Sequence, residues 1–229
     1  MNFIKSFKTL SKFELTLWLV SVIVVTLSFL LVPSKDILSL CASLIGVTAL
    51  IFVAKGYALG QVLCVIFSLF YGVISFFFTY YGEMITYLFM STPMAIMAAI
   101  EWYKNPYKKS KEVRVKKVTK NQTIVMFILT FVVTFVFYFI LKALGNANLF
   151  FSTISIFTSF LASYLTYLRS PYYALAYSAN DIVLIVLWIL ASIENIAYTP
   201  MIFCFVMFLI NDIYGYVNWK RIMMKQSSV

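Results

Sequence analysis

The sequence predicts an all-α integral membrane protein with eight transmembrane helices. Of its 229 residues, 63% are hydrophobic and 11% are charged, which leaves too few polar side chains to cover a soluble domain. Apolar runs of about 18 residues, long enough to cross a bilayer core, occur eight times. Backbone polar groups in lipid must pair within their own segment, which predicts helices. The runs cover residues 15–32, 37–54, 58–80, 84–103, 123–144, 149–168, 172–192 and 198–219.

The distribution of basic residues predicts how the chain is oriented. Cytoplasmic loops are enriched in Lys and Arg, and an inside N-terminus places all of the 18 basic residues except Lys35 and Lys142 on the cytoplasmic side. An even number of spans brings the C-terminus inside as well. We therefore expect a multi-pass protein of the cell (plasma) membrane with both termini cytoplasmic. The net charge of +10 then reflects topology, and no nucleic-acid partner is expected.

Residues 1–36 are predicted to form an amphipathic lead followed by one transmembrane helix. Apolar residues of the lead recur three or four positions apart between lysines, as in segments that lie in the membrane interface. They are Phe3, Ile4, Phe7, Leu10 and Phe13. The apolar run that follows is too long for a signal peptide and has no A-x-A-like site after it, so we expect it to remain uncleaved.

Residues 37–103 and 149–219 are predicted to be two parallel three-helix repeats. Each has a basic turn, then an acidic turn, then a terminal tryptophan, and the matching features are 111 to 117 residues apart. The tryptophans, Trp102 and Trp219, are interpreted as interfacial anchors. Parallel repeats of transporters bind their substrate where the repeats meet, near the middle of the membrane.

Residues 104–148 are predicted to contain a basic cytoplasmic loop and a linker helix that makes the parallel arrangement possible. The stretch 103–122 is rich in lysine and has no apolar periodicity, which indicates a solvated loop that can also contact anionic lipid. Residues 220–229 complete the chain as a cytoplasmic tail.

Polar and aromatic residues within the apolar runs are the candidates for a binding site. Asp181 lies near the middle of its run, and an ionisable side chain at that depth is costly enough to suggest function. Trp188 and Ser192 lie along the same helix face, and Trp188 offers a surface on which an aromatic or cationic ring can stack. The predicted substrate-binding residues are Tyr71, Thr92, Asn180, Asp181, Trp188, Ser192, Asn211 and Tyr214.

Several chemistries are disfavoured by what the sequence lacks. There is no histidine, the three cysteines lie in separate apolar segments, and no G-x-x-x-x-G-K-[ST] motif occurs. We therefore predict no catalytic residues, no metal site and no cofactor. An intramembrane enzyme stays open as a less favoured alternative, with Asp181, Asp212 and Glu101 as its only acid–base candidates, and a receptor or structural protein is the third class.

Three segments resemble the PnuC family of bacterial nicotinamide riboside transporters. They are "FYGVISFFFTYYGEMITYLFMSTPMAIMAAIEWYKNPYK" (70–108), "SANDIVLIVLWILASIEN" (178–195) and "NDIYGYVNWK" (211–220), within a likeness over roughly residues 37 to 220. The resemblance implies two three-helix bundles of the SWEET-like type joined by a linker helix, with the helix at 15–32 as an extra N-terminal span. It also implies a homotrimer.

The same resemblance implies uptake of nicotinamide riboside by facilitated diffusion, with the substrate trapped inside when a cytoplasmic kinase phosphorylates it. The family's tryptophan motif matches at Trp188, whereas Ser192 and Ile185 stand where the family often has asparagine and tryptophan. Thiamine and riboflavin therefore remain alternative substrates. The resulting hypothesis stacks the pyridinium ring on Trp188, with Tyr71 and Tyr214 as further walls.

In this hypothesis Asp181 supplies the compensating negative charge for the pyridinium ring. Four side chains would hydrogen-bond the carboxamide and the ribose hydroxyls. They are Asn180, Asn211, Thr92 and Ser192.

Overall fold

The computed structural model describes residues 3–32, 36–77, 81–146 and 148–228 of the chain. Eight helices in these ranges are long and apolar enough to cross a membrane, which confirms the eight predicted spans. Lys35, one of the two basic residues predicted for the outer side, lies outside the described residues. The side chains of Phe3 and Ile4, part of the predicted amphipathic lead, are likewise not described.

The helix boundaries follow the apolar runs closely. The helices are α1 (Phe3–Phe7), α2 (Lys12–Leu30), α3 (Ile37–Ala54), α4 (Ala58–Phe77), α5 (Tyr81–Ile85), α6 (Thr92–Lys104), α7 (Lys120–Ala143), α8 (Leu149–Tyr167), α9 (Tyr173–Glu194) and α10 (Thr199–Ser227). A π-helical turn, Thr86–Ser91, joins α5 to α6 in one span, and a short 3-10 helix, Ile196–Tyr198, precedes α10. The helix α10 continues well beyond the predicted end of its span at residue 219.

Local sequence signals fix where α2, α3 and α7 begin. Ser11 and Glu14 form a reciprocal capping box at the start of α2, and Thr119 and Gln122 form another at α7. The side chain of Asp36 accepts a hydrogen bond from the backbone N–H of Ser39 at the start of α3. Each cap satisfies backbone N–H groups that have no partner within the helix, and such caps are typically worth about 1 kcal/mol.

The fourth span changes its helical form near its middle. The π-helical turn Thr86–Ser91 ends where Pro93 follows, and proline has no N–H to continue the regular hydrogen-bond ladder. The Thr92 hydroxyl donates to the carbonyl oxygen of Tyr87 at 2.8 Å and lies 2.9 Å from the Ser68 hydroxyl of α4. These hydroxyls hold the irregular turn against α4. π-helical turns inside helices are frequently found at functional sites.

Two equivalent turns end α3 and α8. Gly56 (φ +72°) and Arg169 (φ +59°) both have left-handed backbone conformations. Their N–H groups donate to Val53 and Thr166, and the next residue in each turn donates to the carbonyl oxygen five positions before it. The same hydrogen-bond pattern therefore closes both helices, although only one of the turns has the glycine that this conformation favours.

The helices contact one another in a reciprocal way. We call α3, α4 and α5–α6 the first triplet, and α8, α9 and α10 the second. The first helix of each triplet packs against the last span of the other, since α3 contacts α10 and α8 contacts α6. The linker α7 packs against α8, and α2 packs against both α3 and α10. The N-terminal helix is thus in contact with both triplets.

The loop between α6 and α7, which we call the basic loop (105–119), is partly packed against the helix ends. The N–H of Val113 donates to the carbonyl of Gly56 at 2.8 Å, and that of Lys116 donates to Arg169 at 3.0 Å. Gln226 of α10 bonds the backbone of both Val113 and Val115. Val113 is buried. The loop is therefore not solvated throughout, because the backbone of residues 113–116 joins the two equivalent turns, although the side chains of Arg114 and Lys116 are exposed.

Candidate functional site

A large cavity lies among the helix ends that face away from the basic loop. It has a volume of about 470 Å³ and is bordered by the turn at Gly145 and Asn146 and by the end of α9. Aromatic side chains form much of its wall, and these are Tyr71, Tyr81, Tyr87, Trp188, Tyr198 and Phe205. Small-molecule sites commonly combine an apolar wall with a few polar groups that orient the ligand. This large cavity is the candidate binding site.

Trp188 is packed among other rings at this wall. The ring of Phe205 is nearly parallel to it, at 15° with the centroids 6.5 Å apart, and the Tyr198 centroid lies 5.8 Å away. On the first triplet, the rings of Tyr71 and Tyr87 lie 4.6 Å apart. These rings give a flat ligand several faces on which to stack, and two of them, Trp188 and Tyr71, are residues predicted from the sequence.

A small cavity follows the large one toward the basic loop. Its volume is about 120 Å³. The two cavities share six lining residues, namely Tyr87, Ser91, Ser159, Asn180, Leu184 and Phe205. They are therefore adjacent chambers, one beyond the other, between the two triplets.

Asn180 stands where the two cavities meet. Its amide oxygen accepts hydrogen bonds from the hydroxyls of Thr158 at 2.9 Å and Ser155 at 3.3 Å, both on α8. Because these hydroxyls fix the oxygen, the amide nitrogen is left as a donor for a ligand at the junction. The structure thus places this predicted site residue in the wall of both cavities.

Asp181 lines the small cavity together with Asp212 of α10, and it does not line the large cavity where Trp188 lies. Both aspartates are 3% exposed. Their carboxyl groups contact each other at hydrogen-bonding range, while Asp181 Oδ2 has no hydrogen-bond partner among the described residues. The sequence predicted one helix face for Asp181 and Trp188, and the structure separates the two residues by depth along that face.

Glu83 was missed as a site residue because it was interpreted only as part of an outer turn. Its carboxylate lines the large cavity and accepts a hydrogen bond from the buried Ser75 hydroxyl. Glu83 and Tyr87 are four residues apart and hence on one helix face, which is the signal that would have identified both. Tyr198 and Gln61, which line the large and the small cavity, had no comparable signal.

Four of the predicted substrate-binding residues do not line either cavity. Thr92 is used in the π-helical turn, and the buried hydroxyl of Ser192 has no partner among the described residues. Asn211 donates to the Ser21 hydroxyl at 3.0 Å, and the Tyr214 hydroxyl donates to Glu14 at 3.1 Å. Asn211 and Tyr214 therefore face α2 and attach it to the second triplet.

Trp102 and Trp219 are not interfacial anchors, because they are 1% and 0% exposed. We call them the indole pair, and their ring centroids lie 5.0 Å apart. The Trp102 indole donates to the carbonyl of Thr166 at 2.8 Å, and the Trp219 indole donates to that of Val53 at 2.9 Å. Each bond joins one triplet to the other. Since Thr166 and Val53 also line the small cavity, the indole pair lies next to it on the side of the basic loop.

Glu101, the third acid–base candidate of the enzyme alternative, does not line the small cavity that contains the two aspartates. It forms an ion pair with Arg169 at 3.3 Å, next to the indole pair in sequence. Among the described residues, no three His, Cys, Asp or Glu side chains lie together as a metal site. The three acids therefore divide into a carboxyl pair in a cavity and a structural ion pair.

Comparison with known proteins agrees with this architecture. Residues 36–221 match the family model described as "Nicotinamide mononucleotide transporter". The "Nicotinamide riboside transporter PnuC" of Neisseria mucosa is 26% identical over 191 residues, which are 81% of this chain and 73% of that protein.

The fold is also similar to that of a solved structure. The crystal structure of the vitamin B3 transporter PnuC superposes with a TM-score of 0.79 at 25% identity, covering 95% of this chain and 94% of the other. The family model matches most of the chain, and PnuC proteins resemble the chain in both sequence and structure. The chain therefore belongs to the PnuC family of membrane transporters.

Proposed function

We propose that this chain carries nicotinamide riboside across the membrane by facilitated diffusion. The observation that carries the proposal is the aromatic wall of the large cavity around Trp188. The nicotinamide ring of the riboside is a flat pyridinium cation, and tryptophan faces attract both flat rings and cations. The relatives named above are a nicotinamide riboside transporter and a vitamin B3 transporter, which supports the same substrate.

The charges of the two cavities favour the riboside over its phosphorylated form, the mononucleotide. Glu83 and Glu194 line the large cavity, and Asp181 and Asp212 line the small one. None of the described lining residues is Lys or Arg. A phosphate would therefore meet carboxylates and no compensating cation, and juxtaposed like charges cost several kcal/mol. The unphosphorylated riboside has only the positive charge of its pyridinium ring, which the carboxylates attract.

Polar groups at the junction of the cavities would orient the nucleoside. The amide nitrogen of Asn180 is placed to donate to the carboxamide or to a ribose hydroxyl, and Ser91 and Ser159 offer further hydroxyls. Such bonds offset the desolvation of the ribose hydroxyls, which otherwise opposes transfer into a membrane protein.

The proposed transport cycle rests on two parallel three-helix bundles of the SWEET-like type. The equivalent turns at Gly56 and Arg169 and the reciprocal packing of the triplets support this arrangement. Rocking of one bundle against the other would expose the cavities alternately to each side. The helix α2 is then an additional N-terminal span, consistent with a family match that begins at residue 36.

The proposed orientation places the basic loop and both termini in the cytoplasm and the chain in the plasma membrane. Its basic residues support this orientation. A carrier that only equilibrates its substrate needs a later step to retain it, and phosphorylation by a cytoplasmic kinase would supply that step. A homotrimer is the oligomeric state that we propose from the family resemblance.

Thiamine is the runner-up substrate, and the acidic cavities favour it over riboflavin. The thiazolium ring of thiamine is a cation, whereas riboflavin is neutral and larger. Ile185 and Ser192 stand where the family often has tryptophan and asparagine. The related vitamins are therefore included as alternative substrates in the uptake experiment. We propose no enzymatic reaction, in keeping with relatives that are transporters.

Uptake into proteoliposomes tests the proposal. Purified protein should accumulate labelled nicotinamide riboside up to the external concentration, and the recovered compound should be unchanged. Unlabelled riboside should compete fully, and the mononucleotide should compete at least tenfold more weakly. If thiamine is taken up in preference to nicotinamide riboside, the proposed substrate is wrong. If a chemically altered product appears, the proposed transport function is wrong.

A further inference from the structure

The small cavity has no role in the stacking site at Trp188, although it lies directly beyond it. The two cavities meet at Tyr87 and Asn180, and the indole pair bonds to two residues that line the far side of the small one. A substrate that crosses between the triplets by way of the large cavity would meet this second cavity next. Its chemistry differs from that of the large cavity, because two carboxyl groups face it.

The contact between Asp181 and Asp212 determines the charge of the small cavity. Ionised carboxylates are acceptors only, so two carboxyl groups at hydrogen-bonding range hold at least one proton between them. The described lining has no Lys or Arg, and the chain has no histidine. The ion pairs of the described residues, Lys55–Glu14 and Arg169–Glu101, use other acids.

Asp181 leaves an acceptor free in this chamber. Its Oδ2 is buried without a hydrogen-bond partner among the described residues, although the side chain is only 3% exposed. A buried polar atom without a partner is costly, and a ligand that pairs with it is one explanation for its presence. The missing partner is a cation or a donor that is not part of the described chain.

The size and wall of the small cavity suit one aromatic ring. An engineered apolar cavity of about 150 Å³ binds benzene, and this cavity measures about 120 Å³. Phe67, Phe205 and Phe208 line it beside the carboxyl pair. A ring with a carboxamide would fill it, while the ribose would stay at the junction near Asn180.

We propose that the small cavity is a second binding site, which takes the cationic ring of the substrate after the ring leaves Trp188. This inference rests on the proposed function. The carboxyl pair supplies the counter-charge that Asp181 does not provide in the large cavity. The pyridinium ring would thus move from an aromatic site to a carboxyl site, and each of the two cavities would stabilise its positive charge.

Substitution of the carboxyl pair separates this second site from the stacking site. Asp181→Asn and Asp212→Asn keep the shape of the side chain and remove the negative charge. We expect each to slow uptake of nicotinamide riboside roughly tenfold or more, because hydrogen bonds to charged groups contribute about 1.5–3 kcal/mol. Binding at equilibrium should change much less, since the ring also stacks on Trp188. Glu112→Gln in the basic loop is the matched control and should behave as wild type.

The reduced riboside, whose ring is uncharged, provides the decisive comparison. Its uptake should be almost unaffected by the aspartate substitutions. Equal loss for the charged and the uncharged ring would show a packing role and overturn the inference, as would aspartate variants that carry the charged riboside normally. If the wild-type protein carries neither form, the proposed function itself fails.

Cys64 allows a test that needs no change in the carboxyl pair. This residue lines the small cavity, whereas Cys41 is exposed and Cys204 is buried elsewhere. Alkylation of Cys64 by a small thiol reagent can be followed by mass spectrometry of the peptide. Nicotinamide riboside should slow the alkylation, and the reduced riboside should slow it less. No protection of Cys64 at saturating riboside would exclude the ring from the small cavity.

Discussion

Trp188 belongs both to a hydrophobic core and to the wall of the large cavity. Its ring packs beside Phe205 and Tyr198, and it is one of the core residues shared by α2, α3, α4, α9 and α10. A stacking platform has to be held rigidly, because a ring that rotates freely would lose conformational entropy when the ligand binds. The same packing means that substitutions of Trp188 can act on folding as well as on binding.

Trp188→Ala should weaken riboside binding about five- to 150-fold. The loss corresponds to roughly 1–3 kcal/mol per stacked ring, by analogy with base–aromatic stacking. Trp188→Phe should recover part of the affinity, because a ring face remains. Isothermal titration calorimetry of the purified variants measures both effects.

The outcome that contradicts a stacking role is specific. If Trp188 only fills space between helices, the alanine variant should express poorly and have a lower thermal midpoint. The protein that survives purification would nevertheless bind the riboside with wild-type affinity.

The predicted site residues show how much of a binding site helical periodicity can predict. Residues seven apart lie close to one face of a helix, so the shared face of Asp181 and Trp188 was predictable. They are also about 10 Å apart along the axis, which is enough to place them in different cavities. Periodicity relates the residues of one helix to each other, and it does not say which neighbour their face meets. Asn211 and Tyr214 share a face as predicted, but α2 occupies that side.

The helix α2 is attached to both triplets by side chains that are unusual for a membrane span. The Glu14 carboxylate accepts hydrogen bonds from Lys55 Nζ of the first triplet at 2.8 Å and from the Tyr214 hydroxyl of the second triplet at 3.1 Å. Trp18 donates to Thr48 of α3 at 3.1 Å. One carboxylate therefore links three helices near the basic end of the molecule, where rocking of the triplets would have to change one of its contacts.

Glu14→Gln should lower the thermal midpoint of the purified protein. The substitution leaves the ammonium group of Lys55, whose side chain is 15% exposed, without its countercharge, and such losses cost roughly 1–3 kcal/mol. Thermal unfolding followed by tryptophan fluorescence in one detergent measures the shift.

A double substitution identifies the interaction. Glu14→Gln combined with Lys55→Met removes both charges, so the pair should lose less stability than the sum of the single variants. Additive losses would mean that Glu14 and Lys55 act independently in the protein.

At the level of elements, the apolar runs predicted all eight spans because bilayer thickness sets their length. Two features could not be predicted in this way. The backbone bonds that join residues 113–116 to the turns at Gly56 and Arg169 connect distant parts of the chain, and no local pattern encodes them. The polar loop sequence indicated solvent, although the helix ends offered it unpaired carbonyl groups.

The molecule as a whole has one end where the N-terminal segment, the basic loop and the C-terminal helix meet. Lys111 donates to the hydroxyl of Ser6 at 3.3 Å, and Gln226 bonds to Val113. Ser6 near the described N-terminal end and Gln226 near the end of α10 therefore lie at the same end as the basic loop, as an even number of spans requires. We propose from the distribution of basic residues that this end is cytoplasmic.

Reporter fusions should confirm this orientation. A reporter fused after Val229, which lies outside the described residues, should be cytoplasmic, and so should one inserted between Lys109 and Ser110. A reporter near Asn146, in the turn between α7 and α8, should be external. An external signal from the C-terminal fusion would contradict the proposed topology.

Transport should equilibrate the substrate without ATP or an imposed ion gradient. The sequence has no recognisable nucleotide-binding motif, and the carboxyl pair of Asp181 and Asp212 is proposed to serve the substrate's own charge. Proteoliposomes with and without a proton or sodium gradient should reach the same internal concentration. Accumulation above the external concentration that follows either gradient would make the carboxyl pair a coupling-ion site.

The reciprocal bonds of the indole pair have the form of an isologous interface, the kind found in symmetric homodimers. Trp102 of one half bonds Thr166 of the other, and Trp219 bonds Val53 in return. Each half therefore presents an indole donor and a backbone carbonyl acceptor to its counterpart in an equivalent way. The chain can be regarded as a dimer whose two subunits are fused, with α7 as the added segment that lets both run in the same direction. We expect that a chain cut within the basic loop and expressed as two fragments would reassemble, because the recognition surface belongs to the halves and not to their connection.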